Sequence, residues 1–221
     1  ATQAGPFDQW PNGMGFEYFY GFMGGDASQW QPNLYRNTTA IYPFEGKPGW
    51  NLTTAMADEA IQYMRNIKSV APDKPFLVYY VPGATHAPHH PTPEWIKKVS
   101  DMKLFDGGWN KLRETIFANQ KRLGIMPAEA QLTPWPKELP EWDSLSDVEK
   151  RLFVKQMDVY AAYLAYTDNE IGRVIQAVED LGQRDNTLVI YITGDNGPSS
   201  EGLRNGSPNE FTAFNGVAME V

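Results

Sequence analysis

All three histidines of the chain lie in one short sequence, PGATHAPHHPTPEW. Its glycine and prolines predict a turn-rich loop, which follows directly after the uninterrupted apolar run FLVYYV at 76–81. His86 is the histidine nearest to the end of that run, and the small residues beside it leave room for a substrate. Because an imidazole gives or takes a proton near neutral pH, His86 is the candidate catalytic residue. We interpret His89 and His90 as ordinary solvated loop residues.

A carboxylate and a carboxamide follow a second apolar run, TLVIYI at 187–192. This run stops at Gly194, and the sequence Asp195-Asn196-Gly197-Pro198 then predicts a tight turn. Carboxylate and amide oxygens are the hard donors that suit Ca²⁺ or Mg²⁺. Asp195 and Asn196 are therefore candidate metal ligands, although Asp-Asn-Gly alone is more typical of an ordinary turn than of a metal site.

Both apolar runs lack the polar residue at every second position that marks a strand with one solvated face. We therefore predict that each is a strand buried on both faces of a parallel sheet. Parallel strands joined by helices end at the same sheet edge, which is where ligands of α/β sheets bind. The sequence thus predicts His86 near Asp195 and Asn196, an arrangement suited to hydrolysis of an anionic ester.

Four helices are predicted from apolar residues that recur every three or four positions. They cover Leu52–Lys68, Glu94–Val99, Trp109–Leu123 and a long segment that follows Ser146 and ends at Gly182. Ser146 and Glu149 match a capping box at the start of the last helix. Thr53 or Thr54 is predicted to cap the first helix.

Residues 1–50 show no helical period and are rich in glycine and aromatic side chains. Disordered segments are poor in aromatic residues, so we predict an ordered, loop-rich segment with Phe16–Phe22 as its buried anchor. A sugar-binding platform made of these aromatic rings is the functional alternative to simple packing.

The composition excludes several classes of function. The chain has 221 residues, 42% of them hydrophobic, and a formal net charge of −8. An acidic protein of this kind is not expected to bind nucleic acid or an anionic membrane, because both require a basic surface. Cysteine is absent, which excludes disulfides and thiolate nucleophiles and leaves the compartment open, bacterial cytoplasm or periplasm. Asn37, Asn51 and Asn205 each begin a glycosylation triplet.

Five segments carry a resemblance to a known family. They are GPFDQWPNGMGFEYFYGFMGG, DKPFLVYYVPGATHAPHHPTPEW, FDGGWNKLRETIFANQKRLGIMP, WDSLSDVEKRLFVKQMDVYAAYLAYTDNEIGRVI and LVIYITGDNGPSSEG. Together they resemble the sulfatase family, in its bacterial arylsulfatase-like branch within the alkaline phosphatase superfamily. The resemblance implies an α/β fold with a mixed, mostly parallel sheet flanked by helices, and a sulfate ester, either a small molecule or a glycan, as substrate. It implies that Asp195 and Asn196 bind Ca²⁺ and that His86 contacts the sulfate ester and helps its leaving group.

The chain departs from the family pattern at its most reactive residue. Sulfatases carry a formylglycine made from Cys or Ser in Cys/Ser-x-Pro-x-Arg, and no such motif occurs here. The paired aspartates that complete the family's metal site also have no match. We therefore expect residues 1–221 to be an internal part of a sulfatase catalytic domain, with 1–50 as its aromatic loop-rich segment and 51–221 as its incomplete α/β part. The chain alone is expected to be inactive and to self-associate through open sheet edges.

Two other functions remain open from the sequence. One is a phosphodiesterase or phosphatase of the same superfamily, since the residues that would distinguish it are absent from the chain. The other is a non-catalytic glycan-binding module built on the aromatic residues of 1–50.

Overall fold

The computed structural model describes residues 2–194, 204–207 and 215. The α-helices in these ranges are α1 (Leu52–Val70), α2 (Pro93–Ser100), α3 (Gly108–Arg122) and α4 (Asp147–Asp180). The strands are short: β1 (Tyr20–Gly21), β2 (Leu34–Arg36) and β3 (Thr39–Ile41). The described residues form two units, the first from 2–92 and 163–194, the second from 93–162, 204–207 and 215. Each predicted helix is confirmed with ends close to those expected from the sequence.

The predicted parallel sheet is wrong for the part of the chain that the structure describes. There, the only paired strands are β1, β2 and β3, which form an antiparallel sheet in that order. All three strands lie in the N-terminal segment, where the sequence predicted only loops. The α/β character expected of the chain thus rests on its helices and this small sheet.

The apolar run at 76–81 is extended but has no strand partner among the described residues. Its side chains alternate: Phe76, Val78 and Tyr80 pack against α1 and α4, whereas Leu77 and Tyr79 are 79% and 76% exposed. A helix pair thus covers one face of the run, and the face predicted to be buried against a second layer is open. Burial on both faces is therefore not observed.

The second apolar run, at 187–192, is neither helical nor paired with a strand within the described residues. Leu188, Ile190 and Ile192 are all strongly exposed, as are the residues between them. The prediction that this run is a strand buried on both faces is therefore wrong for the described residues. The ladder that would bury it requires a neighbouring strand, which no local pattern can supply.

Helix α1 and the C-terminal half of α4 form the core of the first unit. Ala57 and Met64 of α1 pack with Val174, Ala177 and Val178 of α4. The aromatic N-terminal segment is anchored by Trp10, Leu34 and Tyr35, the large residues that it buries most completely. The predicted anchor Phe16–Phe22 is therefore wrong, because its aromatic rings are only partly buried.

The second unit has its own small core, formed by Val99, Phe105 and Ala162. The predicted capping box is confirmed there: Ser146 Oγ accepts the amide of Glu149 at 3.3 Å, and Glu149 Oε2 accepts the amide of Ser146 at 2.9 Å. No helix in the described ranges is both long and apolar enough to cross a bilayer.

Candidate active site

Residues 82–92, which we call the histidine loop, join the extended run at 76–81 to α2. His86 is exposed and lies near the middle of the loop. Its backbone amide donates to the carbonyl of Gly83 at 3.0 Å, which closes a turn. Its Nδ1 lies 2.7 Å from the carbonyl oxygen of Ala87, and since a carbonyl only accepts, Nδ1 carries a proton. In the neutral ring Nε2 is then the atom that takes up a proton.

His89 supports the loop from within. Its Nε2 lies 3.1 Å from the carbonyl oxygen of Thr85 and therefore donates to it. Its ring meets the ring of Tyr163 on α4 edge to face, with centroids 6.3 Å apart. His89 is half-buried. The prediction that it is a solvated surface residue is therefore wrong.

His90 is hydrogen-bonded to two residues outside the histidine loop. Its Nδ1 accepts the backbone amide of Gln29 at 3.3 Å, and its carbonyl accepts Nδ2 of Asn51 at 3.0 Å. Burial lowers the pKa of the His90 imidazole, and the neighbouring His89 lowers it further. Since Nδ1 accepts the Gln29 amide, this nitrogen carries no proton in the structure. The interpretation of His90 as a solvated loop residue is also wrong.

Sequence reasoning missed Gln29 and Asn51, which hold the loop from outside. Asn51 is only 4% exposed and caps α1, because its Oδ1 accepts the amide of Thr53 at 2.9 Å. The predicted caps Thr53 and Thr54 lie instead within the first turn. The asparagine immediately before the apolar helix pattern was a usable signal for the cap. Its burial also leaves the Asn51 amide inaccessible to glycosylation in this structure.

The candidate metal ligands Asp195 and Asn196 lie outside the described residues. The predicted approach of His86 to this turn therefore stays a prediction. Within residues 2–194, 204–207 and 215, no group of three or more His, Asp or Glu side chains could hold a metal ion. One carboxylate and one carboxamide provide the oxygen donors that Ca²⁺ prefers, but they fill only part of its coordination shell.

A groove of about 450 Å³ borders the aromatic N-terminal segment. Trp10 and Tyr35 line it, but they are only 1% and 5% exposed and pack edge to face with centroids 4.9 Å apart. A sugar ring that stacks on an aromatic residue needs an open ring face. These two rings contribute to the core of the segment, which favours the predicted packing role over the glycan-platform alternative.

The chemistry available in the described site is proton transfer by an exposed, oriented imidazole. His86 has a fixed tautomer, and His89 and His90 lie in the same loop as its supports. Cysteine is absent from the chain, so a thiolate cannot serve as nucleophile. The arrangement is that of an acid or base group, and it requires a nucleophile from elsewhere.

Comparison with known proteins shows which family the chain resembles along its length. A model of the sulfatase family matches residues 2–216. The arylsulfatase of Klebsiella aerogenes is 27% identical over 209 residues, which cover 91% of this chain and 44% of that protein. An uncharacterized sulfatase of Schizosaccharomyces pombe is 28% identical over 207 residues, and the uncharacterized sulfatase YdeN of Escherichia coli is 24% identical over 198. The chain spans 36% and 25% of these two proteins, less than half of each relative. With nearly its whole length matched, the chain belongs to the sulfatase family.

Proposed function

We propose that the chain is part of a sulfuric-ester hydrolase of the arylsulfatase type. The observation that carries this proposal is the family match over residues 2–216, which contains the histidine loop. The loop presents one exposed imidazole and half-buries the other two. That distribution suits a substrate site, since the most accessible ring of the loop is the one proposed to act on the ester.

His86 is the proposed acid for the leaving group. With Nδ1–H already bonded to the Ala87 carbonyl, a second proton on Nε2 makes the ring an imidazolium. Cleavage of the S–O ester bond leaves the bonding pair on the alcohol or phenol oxygen, and Nε2–H supplies the proton that neutralises it.

Asp195 and Asn196 are the proposed Ca²⁺ ligands, on the resemblance to the family and on the chemistry of their oxygens. A bound Ca²⁺ would neutralise part of the negative charge of the sulfate group. No Cys/Ser-x-Pro-x-Arg motif occurs in these 221 residues, so we propose that the nucleophile lies outside them and that the chain alone does not turn over sulfate esters.

The test compares leaving groups. His86→Ala is introduced into the gene product expressed with its flanking coding sequence, and kcat/KM is measured with phenyl sulfate and with 4-nitrophenyl sulfate. A lost general acid costs roughly 10²- to 10⁴-fold. The loss is expected to be largest for phenyl sulfate, because phenoxide needs the proton more than 4-nitrophenoxide does.

Two results would contradict the proposal. An equal loss for both esters means that His86 only binds the sulfate group. Faster hydrolysis of 4-nitrophenyl phosphate than of the sulfate by the wild-type protein favours a phosphatase instead.

A further inference from the structure

Gln29 touches the histidine loop on both sides of His86. Its backbone amide donates to Nδ1 of His90 at 3.3 Å. Its side-chain Nε2 lies so close to Gly83 that a Cβ added there would come within 3.3 Å of it. Gln29 is 3% exposed, although it lies in a segment that is distant in sequence. One buried residue therefore lies close to the start of the turn that carries His86 and is hydrogen-bonded to the loop beyond it.

Asn51 joins the same loop to helix α1. Its Oδ1 accepts the amide of Thr53 at 2.9 Å as the helix cap, and its Nδ2 donates to the carbonyl of His90 at 3.0 Å. Because the two bonds use opposite ends of one amide, the start of α1 and the end of the histidine loop are held at a fixed separation. A simple cap would need only the oxygen.

The first turn of α1 also holds Gln29. The amide of Leu52 donates to the Gln29 carbonyl at 2.8 Å, and the hydroxyl of Thr53 lies 3.3 Å from its Oε1. Gln29, Asn51, Thr53 and His90 thus form one connected set of hydrogen bonds, which we call the anchor network. Gln29, Asn51 and Thr53 are each less than 5% exposed. Buried polar networks whose members are satisfied restrict motion strongly, because each broken bond leaves a desolvated group.

We propose that the anchor network positions His86, with Asn51 and Gln29 as its positioning residues. This inference rests on the proposed function, because a positioning role requires that His86 acts on a substrate. Productive geometry at a catalytic group must hold within about 0.5 Å, and residues on loops achieve this only when a second set of contacts locks them. The bonds within the loop itself fix its shape, and the anchor network fixes its place on α1.

The substitution Asn51→Asp separates the two roles of this side chain. Aspartate keeps the oxygen that caps α1 and is as good a cap as asparagine. It loses the N–H donor and places a carboxylate oxygen against the His90 carbonyl. Ser146→Ala is the matched control, because it removes a helix cap of similar strength at the start of α4, in the other unit. Asn51→Ser, which also keeps a capping oxygen, serves if the aspartate variant does not fold.

The readouts are the hydrogen exchange of the His86 amide and the imidazole ¹⁵N signals of the three histidines, together with thermal unfolding. Loss of one buried hydrogen bond is expected to speed exchange of the His86 amide by about five- to tenfold, since this amide bonds within the anchored turn. The His86 ring signals are expected to move in the same variant. Ser146→Ala is expected to lower the unfolding temperature and to leave both readouts for His86 unchanged.

The outcomes distinguish this inference from the proposed function. Unchanged exchange and ring signals of His86 in folded Asn51→Asp or Asn51→Ser would overturn the positioning role. Phenyl sulfate and sodium sulfate are then added to the wild-type gene product used in the kinetic test, and the ring signals of His86 are expected to shift while those of His90 do not. If the His86 signals shift with neither probe, the proposed function is contradicted, whatever the exchange result shows.

Discussion

Two neighbouring residues of the run at 76–81 should differ in how much their truncation to alanine lowers the free energy of unfolding. Phe76 packs on the α1–α4 core, whereas Leu77 is 79% exposed. Truncating a fully buried phenylalanine costs about 3–5 kcal/mol, so we expect about 2 kcal/mol for Phe76→Ala, whose ring is partly buried. Leu77→Ala should stay within about 0.5 kcal/mol, since it leaves no cavity. Urea denaturation at low protein concentration measures both.

The same exposed face is expected to make the chain self-associate. Neither apolar run contains a charge or a proline to discourage edge pairing, and Ile190 is 70% exposed. The double variant Leu77→Lys, Ile190→Lys should therefore shift the chain towards monomer in sedimentation velocity without loss of stability. If Phe76→Ala and Leu77→Ala lower the free energy of unfolding equally at concentrations where the chain is monomeric, the alternation of buried and exposed side chains along this run is refuted. Unchanged association of the lysine variant would refute these faces as the contact surface.

Three further predictions follow from the site and the caps. Calorimetric titration should show Ca²⁺ binding in the millimolar range or weaker, because Asp195 and Asn196 alone leave most of the coordination shell to water; micromolar binding that Asp195→Ala abolishes would mean that the chain contains further ligands. Ser146→Ala should lower the free energy of unfolding by about 1 kcal/mol through loss of the α4 cap, which thermal melts against Asp147→Asn can check. Since burial lowers the pKa of His90 from its ordinary 6.5, the folded chain binds fewer protons than the unfolded one, and stability should fall as the pH drops below about 6.5. His90→Asn should flatten that decline in urea melts, and a profile identical to the wild type would show that His90 does not cause it.

The helices were predictable because their signals are local. Ser146 and Glu149 lie three residues apart and satisfy each other's amides, so the sequence contains the whole capping motif. Gly124 and Gly182 both adopt positive φ, at 74° and 67°, just beyond the ends of α3 and α4. Glycine takes up this conformation without strain, which is why both positions marked the helix ends in the sequence.

The strands were not predictable in the same way, because pairing is a relation between distant segments. The run at 187–192 has the residue types of a buried strand, yet Leu188 is 84% exposed. Its composition reports a preference for extended backbone and for burial, but the partner that would bury it is not encoded in the run. Conversely, β2 and β3 pair as Leu34 with Ile41 across a short turn in a segment whose glycines and aromatics masked the pattern.

In the site, too, features set by neighbouring residues in the sequence were predictable and features set by distant residues were not. The sequence singled out His86 from its place after an apolar run, and the structure leaves it exposed in a turn. The supporting roles of His89 and His90 could not be predicted, because they depend on Tyr163 and Gln29, which are far away along the chain. A cluster of histidines in a proline-rich loop looks solvated until its neighbours in space are known.

The hydrogen bonds of the three rings respond differently to an added proton. His86 and His89 each donate to a carbonyl, so both keep these bonds when the ring becomes an imidazolium. His90 accepts an amide at Nδ1, and a proton there would remove the acceptor and break its bond to Gln29. His86 can therefore carry the proton for a leaving group while the loop stays anchored, provided that His90 stays neutral. Burial lowers the pKa of His90 and so favours the protonation state that this requires.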